Sequence, residues 1–443
     1  MNVLFISLGC DKNLVDTEYM LGLLKEHGFS MTNEEADADA IVVNTCCFIH
    51  DAKQESIDTI LEMAEYKKEG KLQALIVTGC LAERYKDEIL AEIPEVDAII
   101  GTTGYEKVVE ALENALQQKK AVYCEELSYL PQPEVNRVNT TGGFFSYLKI
   151  AEGCNKHCTY CVIPSIRGTY RSVPMERLIK EAEFLAEGGT KELILIAQET
   201  TLYGVDLYGK KMLPELLRKL CRIEGIEWIR VLYCYPEEIT DELIQIMKEE
   251  PKICRYLDLP IQHASDDILK RMGRKTNQKE LVKLIRKLRK ELPGIALRTS
   301  LITGFPGETE EQHAELLEFV KKMRFERLGV FTYSKEENTA AAKMKGQVTK
   351  KVKLARQKEL MLAQQEIAFA KAEKMVGKRL TVMIEGRLPE DNVYIARTYM
   401  DAPNIDGYLF LKAKNMYQSG EFVKARITGA KGYDLLGEVI GEK

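Results

Sequence analysis

VLFISLGC, residues 3–10, is the stretch on which the fold turns. It is an apolar run of strand character that ends on a cysteine, and an amphipathic helical pattern follows from about Asn13 to His27. The unit returns as AIVVNTC (40–46) before a helix from about Asp51 to Lys68, and as LQALIVTGC (72–80) before a helix near Ala82–Ile93. A short AIIG strand (98–101) and a helix from Gly104 to Gln118 complete the series. Continuous apolar strands alternating with helices predict a doubly wound parallel sheet, and a flavodoxin-like order is expected for residues 1–120. The strand ends of such a sheet lie along one edge, where ligands collect at the topological switch point. Cys10, Cys46 and Cys80 each close a strand just before a helix, so the three thiols are expected to converge as a metal site. A free cysteine is also a common small buried hydrophobe. That reading suits any one of the three alone; their recurrence at equivalent strand ends favours metal.

The whole chain of 443 residues is long enough for two to four domains. With 45% hydrophobic and 30% charged residues it is globular in composition, not disordered, collagen-like or fibrous. Lys+Arg 63 against Asp+Glu 68 leaves a net charge of −5. That balance argues against a wholly electrostatic nucleic-acid binder, which needs a basic excess to release counterions. No apolar run has the length of a membrane span, and the apolar start lacks the cationic region and cleavage site of a signal peptide. A cytoplasmic location is expected. A reducing compartment disfavours structural disulfides, so the 11 cysteines point to metal or catalysis.

Residues 121–143 carry Pro131, Pro133, Gly142 and Gly143 and read as a linker. From Phe144 a second series begins, with candidate strands at 144–150, 192–197, 228–233, 256–261, 296–302 and 327–333, separated by helices such as Met175–Glu187 and Glu310–Met323. Six βα units fall short of the eight that close a full barrel, so residues 144–348 are expected to form a partial (β/α)6 barrel with its ligand side at the strand C-termini. Residues 349–375 read as a connecting helix. Residues 376–443 switch to five short strands with turn signals (RLTVMIEG, NVYIART, GYLFLKA, EFVKARITGA, YDLLGEVI), which predicts a small β-barrel.

CNKHCTYC brings Cys154, Cys158 and Cys161 onto one loop after the first strand of that second series. Chance would give this spacing about 0.006 times in a chain of this cysteine content, so the signal is specific. Three thiolates on a short loop hold three irons of a cubane cluster, whereas full ligation normally takes four. The fourth iron is then open, as the vacant position of a catalytic zinc site is. The alternatives are a zinc site completed by His157, which lies between two ligands in a very tight loop, and a purely structural cluster. Cys47, Cys124, Cys221, Cys234 and Cys254 read as packing residues.

GCNKHCTYC (153–161) within a partial-barrel pattern resembles the radical S-adenosylmethionine (SAM) enzymes. The three-part layout resembles their methylthiotransferase branch: an N-terminal three-cysteine domain, a radical SAM barrel and a C-terminal TRAM barrel. SLGCDKNLVDTE (7–18), CVIPSIRG (161–168) and YDLLGE (433–438) resemble the members that modify a ribosomal protein. Transfer-RNA members typically read GCQMN and Tyr-Thr-Arg-Gly at the first two places. Asp11 departs from the proline that the ribosomal-protein members more often carry after the first cysteine.

The resemblance implies two 4Fe–4S clusters and SAM as cofactors. The cluster on Cys154, Cys158 and Cys161 would split SAM to a 5′-deoxyadenosyl radical, after one-electron reduction by a carrier such as flavodoxin or ferredoxin. The cluster on Cys10, Cys46 and Cys80 would supply sulfur, which a second SAM methylates. The implied acceptor is the β-carbon of an aspartate in ribosomal protein S-twelve, whose C–H bond has no useful acidity, so a radical is required. Both clusters must then lie close to the substrate carbon, and the two cysteine edges should face each other.

The resemblance also implies SAM contacts from Gln198, Glu199 and Thr200 after the second barrel strand, and from Gln262, His263 and Ser265 after the fourth. Arg298 and the turn Gly304-Phe305-Pro306-Gly307-Glu308 would serve SAM from the fifth, and Tyr160 would flank adenine. Each polar residue equally suits a strand-end turn or helix cap, Tyr160 suits ordinary packing, and Gly304 and Gly307 suit the turn's backbone angles. In the C-terminal segment 374–443, 11 Lys/Arg face 9 Asp/Glu, so charge does not choose between protein and RNA. Tyr394, Tyr399, Tyr408, Phe410 and Tyr417 could stack on bases or fill the small core. A transfer-RNA adenosine methylthiotransferase and a non-catalytic iron–sulfur carrier are the alternatives.

Overall fold

The computed structural model describes residues 1–131, 136–389 and 392–442; Pro133 of the segment read as a linker lies outside them. Strands β1 (Asn2–Ser7), β2 (Ser30–Thr32), β3 (Ala40–Thr45), β4 (Ala74–Gly79), β5 (Ala98–Ile100) and β6 (Ala121–Tyr123) form one sheet in the order β2-β1-β3-β4-β5-β6. All pairs are parallel. The first five strands follow the flavodoxin-like order, with the switch point between β1 and β3. β3 and β4 are buried along their whole length, as strands covered on both faces must be. Two edge strands escaped the sequence reading. Both β2 and β6 have three residues, too few to display a period. β6 draws residues 121–123 of the expected linker into the sheet.

The helix Asp11–Glu26 departs most from its expected amphipathic form. Lys12, Asn13, Asp16, Thr17 and Glu18 are buried on it together with Val15, Tyr19 and Met20. Its polar residues do not meet water: Lys12 and Asp16 face Tyr233 and Lys149 of the central domain, Glu18 the connecting segment, and Asn13 and Thr17 the sheet's own strand ends.

That domain is built on β7 (Phe145–Lys149), β8 (Ala151–Glu152), β9 (Arg171–Ser172), β10 (Glu192–Ile196), β11 (Trp228–Val231), β12 (Ile253–Asp258), β13 (Ala296–Thr303) and β14 (Arg327–Thr332). Six of these lie parallel in sequence order, β7-β10-β11-β12-β13-β14, as expected for a partial barrel. β8 and β9 pair antiparallel, Ala151 with Ser172 and Glu152 with Arg171, and so close the excursion that carries the cysteine loop. On the outer face Leu193, Leu195, Ile229, Leu257 and Leu297 pack with helix residues such as Leu178, Leu216, Leu243, Leu281 and Leu316. The inner face is continuous with both flanking domains: Tyr147, Ile194, Ile196 and Tyr256 share one cluster with Val15 and Leu112 on one side and Met383 and Ala402 on the other.

After the helix Lys350–Glu373, strands β15 (Arg379–Arg387), β16 (Val393–Thr398), β17 (Leu409–Lys412), β18 (Phe422–Lys431) and β19 (Asp434–Val439) close a barrel in the order β15-β16-β17-β19-β18. It sits under the N-terminal ends of the central strands. Glu192, Trp228 and Arg327, each the first residue of its strand, meet Arg397, Phe422 and Asp401 respectively. The N-terminal domain covers the opposite, C-terminal ends, through Asp11 on Tyr233 (3.0 Å) and Arg84 on the Glu337 carbonyl (2.9 Å). The segment between these two domains is itself anchored: buried Arg137 pairs with Glu18 of the first domain (3.1 Å) and Glu181 of the second (2.6 Å). Among the described residues no helix is long and apolar enough to cross a membrane.

Two cysteine triplets across a buried domain interface

Cys10 immediately precedes the helix Asp11–Glu26, Cys46 follows β3 directly, and Cys80 opens the helix Cys80–Glu92, two residues earlier than the sequence pattern suggested. The three strand ends are drawn together by Asn13. Its amide nitrogen donates to the Leu8 carbonyl at 3.1 Å and to the Thr45 carbonyl at 2.9 Å. Its oxygen lies 3.7 Å from Cys80 Sγ. Gly9 carries φ +93°, and a Cβ there would stand 3.1 Å from Cys46 Sγ, so only glycine lets the Cys10 turn lie on Cys46. Burial pushes the Cys46 and Cys80 thiols up, and each feels the charge of Cys10. Cys10 is exposed while its two companions are buried.

The second triplet lies between β8 and β9. Cys154 and Cys158 are buried and Cys161 half-buried. The loop is held by backbone: Cys154 N–H donates to the Gly168 carbonyl (3.1 Å) and Thr159 N–H to the Met272 carbonyl (2.9 Å). Burial pushes the Cys154 thiol up to about 11 and the Cys161 thiol up to about 12, each also raised by neighbouring thiols of the loop. Cys158 Sγ lies 3.8 Å from Tyr235 Oη. His157 is exposed in a left-handed conformation (φ 49°), between Cys154 and Cys158 and turned to solvent.

Among the described residues no three His, Cys, Asp or Glu groups close around one point tightly enough for a single metal ion. Thiolates sharing one zinc ion stand about 3.8 Å apart, given a Zn–S bond of about 2.3 Å. Thiolates on three different irons of a cubane spread wider, and an all-cysteine donor set suits iron–sulfur ligation. The other five cysteines pack: Cys47, Cys221, Cys234 and Cys254 are buried, Cys124 is partly buried beneath Gly101, and Cys47 Sγ is spent on the Cys80 carbonyl at 3.2 Å.

A buried polar network joins the N-terminal triplet to the short helix that follows the second. Arg167, at the end of the helix Ile163–Arg167 that follows Cys161, reaches Cys80 Sγ at 3.5 Å and also donates to Asn13. Its other terminal nitrogen lies 2.8 Å from Asp16 and 3.2 Å from Glu152. Lys149 bridges the same two carboxylates. Burial opposes the charge on Glu152, but Lys149 and Arg167 hold its carboxyl down to about 2. The sequence reading missed Lys149, Glu152 and Arg167 because a lone charged residue in a strand or short helix reads as solvated. The signal that could have found their partners was the run of polar residues in CDKNLVDTE, too polar for one face of a buried helix.

Around the cysteine loop the expected SAM contacts divide. Gln198 Nε2 donates to Glu152 Oε1 at 2.6 Å, while its own oxygen is buried without a partner. Glu199 is wholly buried; Oε1 takes the Thr201 amide at 2.9 Å, Oε2 has no partner, and burial lifts the carboxyl to about 7. His263 accepts the Ser265 amide at Nδ1 (3.0 Å), which leaves the proton on Nε2. That Nε2 stands 3.7 Å from Glu308, and no hydrogen bond satisfies it. Gln262 holds a left-handed backbone (φ 70°) and bridges β13 through the Ser300 carbonyl and the Ile302 amide. Glu308 shapes the Gly304 turn by accepting from Gly304 N–H (2.7 Å) and Phe305 N–H (3.2 Å). Tyr160 packs beside Phe305, Met272 and Tyr333.

Of the others, Thr200 and Arg298 are committed elsewhere, while the Ser265 side chain makes no cap bond. Thr200 Oγ donates to the Leu232 carbonyl at 2.7 Å. Ser265 immediately precedes the helix Asp266–Arg271. Arg298 pairs with Asp258 at 2.8 Å and faces Asp406 of the C-terminal barrel at 3.8 Å. Arg274 was not anticipated: it lies 4.2 Å over the Tyr235 ring with two buried nitrogens unpartnered. Gln198, Glu199, His263 and Arg274 each keep a buried polar atom without a partner, the kind of group that a polar, charged ligand such as SAM would satisfy.

The chain matches three family models: the Uncharacterized protein family UPF0004 over residues 2–101, the Radical SAM superfamily over 148–320 and the TRAM domain over 376–440. It is 71% identical over 437 residues to the ribosomal protein uS12 methylthiotransferase RimO of Lachnoclostridium phytofermentans, covering 99% of both chains. The protein of the same name from Thermoanaerobacter sp. is 49% identical over 437 residues, again with 99% of each chain covered. Among solved structures, the radical SAM methyltransferase TsrM of Kitasatospora setae aligns with a TM-score of 0.56 at 15% identity, over 74% of this chain and 72% of that one. The cobalamin-dependent radical SAM enzyme OxsB aligns with a TM-score of 0.52 at 14% identity, over 82% of this chain and 56% of that one. At such identities the likeness is one of fold.

Proposed function

The chain belongs to the RimO family of radical SAM methylthiotransferases, and from that footing we propose that it adds a methylthio group to the β-carbon of an aspartate in ribosomal protein uS12. One SAM is the radical source and a second the methyl donor. Cys154, Cys158 and Cys161 hold one 4Fe–4S cluster, and Cys10, Cys46 and Cys80 hold the other. When bound, these groups supply a 5′-deoxyadenosyl radical at the first site and the sulfur at the second.

The observation that carries this reading is the contact of Arg167 with Cys80 across the domain interface, 3.5 Å from a helix that begins beside Cys161. It ties Cys80 to the segment that follows the barrel's cysteine loop, which supports a reaction needing both cysteine edges at one carbon. The protein's own groups do the rest. Glu199 and Gln198 offer acceptors to the SAM ammonium, His263 offers a donor at Nε2, and Arg274 offers its free nitrogens to a carboxylate. Tyr160, Phe305 and Tyr333 supply an apolar wall that keeps water from a reactive radical. A one-electron reductant such as flavodoxin or ferredoxin is required, and the reaction is assigned to the cytoplasm.

The transfer-RNA reading gains little support from the C-terminal barrel. Tyr394 fills its core, Tyr417 packs edge-on against Tyr394, and Tyr399 donates to the Gly294 carbonyl at 2.8 Å. These rings are engaged within the protein rather than displayed for stacking. A non-catalytic carrier would have no use for unpartnered polar groups beside its cluster loop. The test is incubation of the reduced, cluster-loaded chain and SAM with uS12, with small ribosomal subunits and with transfer RNA, followed by mass spectrometry. Addition of a methylthio group to uS12 is expected, and modification of transfer RNA alone would overturn the assignment.

A further inference from the structure

We propose that Arg167 is a positioning residue that holds the Cys80 thiolate in register with the barrel's cysteine loop and raises the reduction potential of the N-terminal cluster; the inference rests on the cluster assignment above. Arg167 belongs by sequence to the barrel's loop, yet its side chain leaves that domain. It is buried, and all its named partners are fixed: Cys80 Sγ at 3.5 Å, Asn13, Asp16 at 2.8 Å and Glu152 at 3.2 Å. Arg171 and Thr102 hold the backbone of the same short helix, Arg171 donating to the Arg167 carbonyl (3.1 Å) and Thr102 to the Ile166 carbonyl (2.8 Å). The guanidinium is therefore aimed, not merely nearby.

Charge explains why arginine stands there. Lys149 and Arg167 balance Asp16 and Glu152, two cations against two carboxylates. A Cys80 thiolate adds one further negative charge to this buried group, and the Arg167 edge facing it is the nearest donor. A planar fork can serve Asp16, Glu152 and a sulfur at once, which a lysine ammonium on a flexible stem cannot. Hydrogen bonds and positive charge at a ligating sulfur stabilise the reduced cluster, so they raise its potential. Through Glu152 the same guanidinium reaches Gln198, at 2.6 Å from that carboxylate, so one cation touches both halves of the site.

The test uses the full chain with Cys154, Cys158 and Cys161 replaced by Ala, so that only the N-terminal cluster is loaded. Iron content and the EPR-monitored midpoint potential are compared for the parent, Arg167→Lys and Arg167→Gln. Unchanged iron is expected, with the midpoint moved to more negative potential in Arg167→Gln and by less in Arg167→Lys. In the chain with all six cysteines, Arg167→Gln is expected to lose at least about ten-fold in methylthio product per SAM cleaved. Midpoints equal to the parent's in both variants would overturn the proposal. So would loss of the N-terminal cluster from Arg167→Lys, the variant that keeps the buried charge and hence the fold, because the residue would then be only a scaffold. A parent chain that cleaves SAM without modifying uS12 would defeat the proposed function and leave the midpoint comparison intact.

Discussion

Glu192, the first residue of β10, and Arg397, in β16 of the C-terminal barrel, meet at 2.6 Å with neither side chain reached by solvent. The other Glu192 oxygen takes Arg230 at 2.7 Å. Burial opposes this charge, yet Arg230 and Arg397 hold the carboxyl below its usual range. Removing one partner leaves a buried charge uncompensated. Arg397→Met is expected to lower stability by about 3–5 kcal/mol. Trp228, the chain's one tryptophan, packs edge-on against Phe422 at this interface, so its fluorescence during urea unfolding reads the loss directly.

The two cysteine triplets should separate cleanly by substitution. Cys158→Ala is expected to lower iron by about four per chain and abolish SAM cleavage. Cys46→Ala should lower iron by the same amount, spare SAM cleavage and stop methylthiolation. Iron analysis with chromatography of 5′-deoxyadenosine checks both. Full methylthiolation by Cys46→Ala would make the second site structural.

Glu199 predicts a pH dependence. Burial lifts its carboxyl to about 7. Between the unfolded carboxylate range and that value the folded chain holds the extra proton, so the stability it contributes is present at low pH and is lost as pH rises through this window. Parent and Glu199→Gln should therefore unfold alike near about pH 4, below the unfolded carboxyl value, and near about pH 8 the parent should be the weaker by about 3 kcal/mol. Paired denaturation curves of the cluster-free chain at the two values measure it. The opposite sign would mean that Glu199 is charged and paired throughout.

Gly153 precedes Cys154 with φ +77°, and a Cβ there would lie 2.1 Å from the Thr169 carbonyl. Gly153→Ala must displace the antiparallel closure of the loop. Loss of the barrel cluster is expected, with the N-terminal cluster retained, so that iron falls by about half while the N-terminal EPR signal persists.

Much of the fold was legible because it is written in long periodic signals. The partial barrel's six parallel strands and the five of the C-terminal barrel fall on the expected runs, since apolar residues such as Leu193, Leu195, Leu257 and Leu297 repeat where a sheet face requires them. Strand-end cysteines were visible because each breaks an apolar run at its last position. What the sequence hid was contact between domains. Arg167 and Glu152 look like ordinary charged residues until Asp16, more than a hundred residues away, is folded against them. Arg298 illustrates the converse: its place on β13 suggested a ligand, but Asp258 on the neighbouring strand and Asp406 in the C-terminal barrel already face it. Three-residue strands such as β2 gain their pairing from the sheet, not from their own pattern.

Arg137 turns the connection between the first two domains from a tether into a clasp, because it grips Glu18 and Glu181 at once and reaches the Tyr147 carbonyl at 2.5 Å. Neither cysteine-bearing body is then free to swing, and whatever passes between them travels a fixed gap. A hybrid that joined one relative's parallel sheet to another's barrel would have to inherit these three charged residues as a set, or its halves would meet out of alignment.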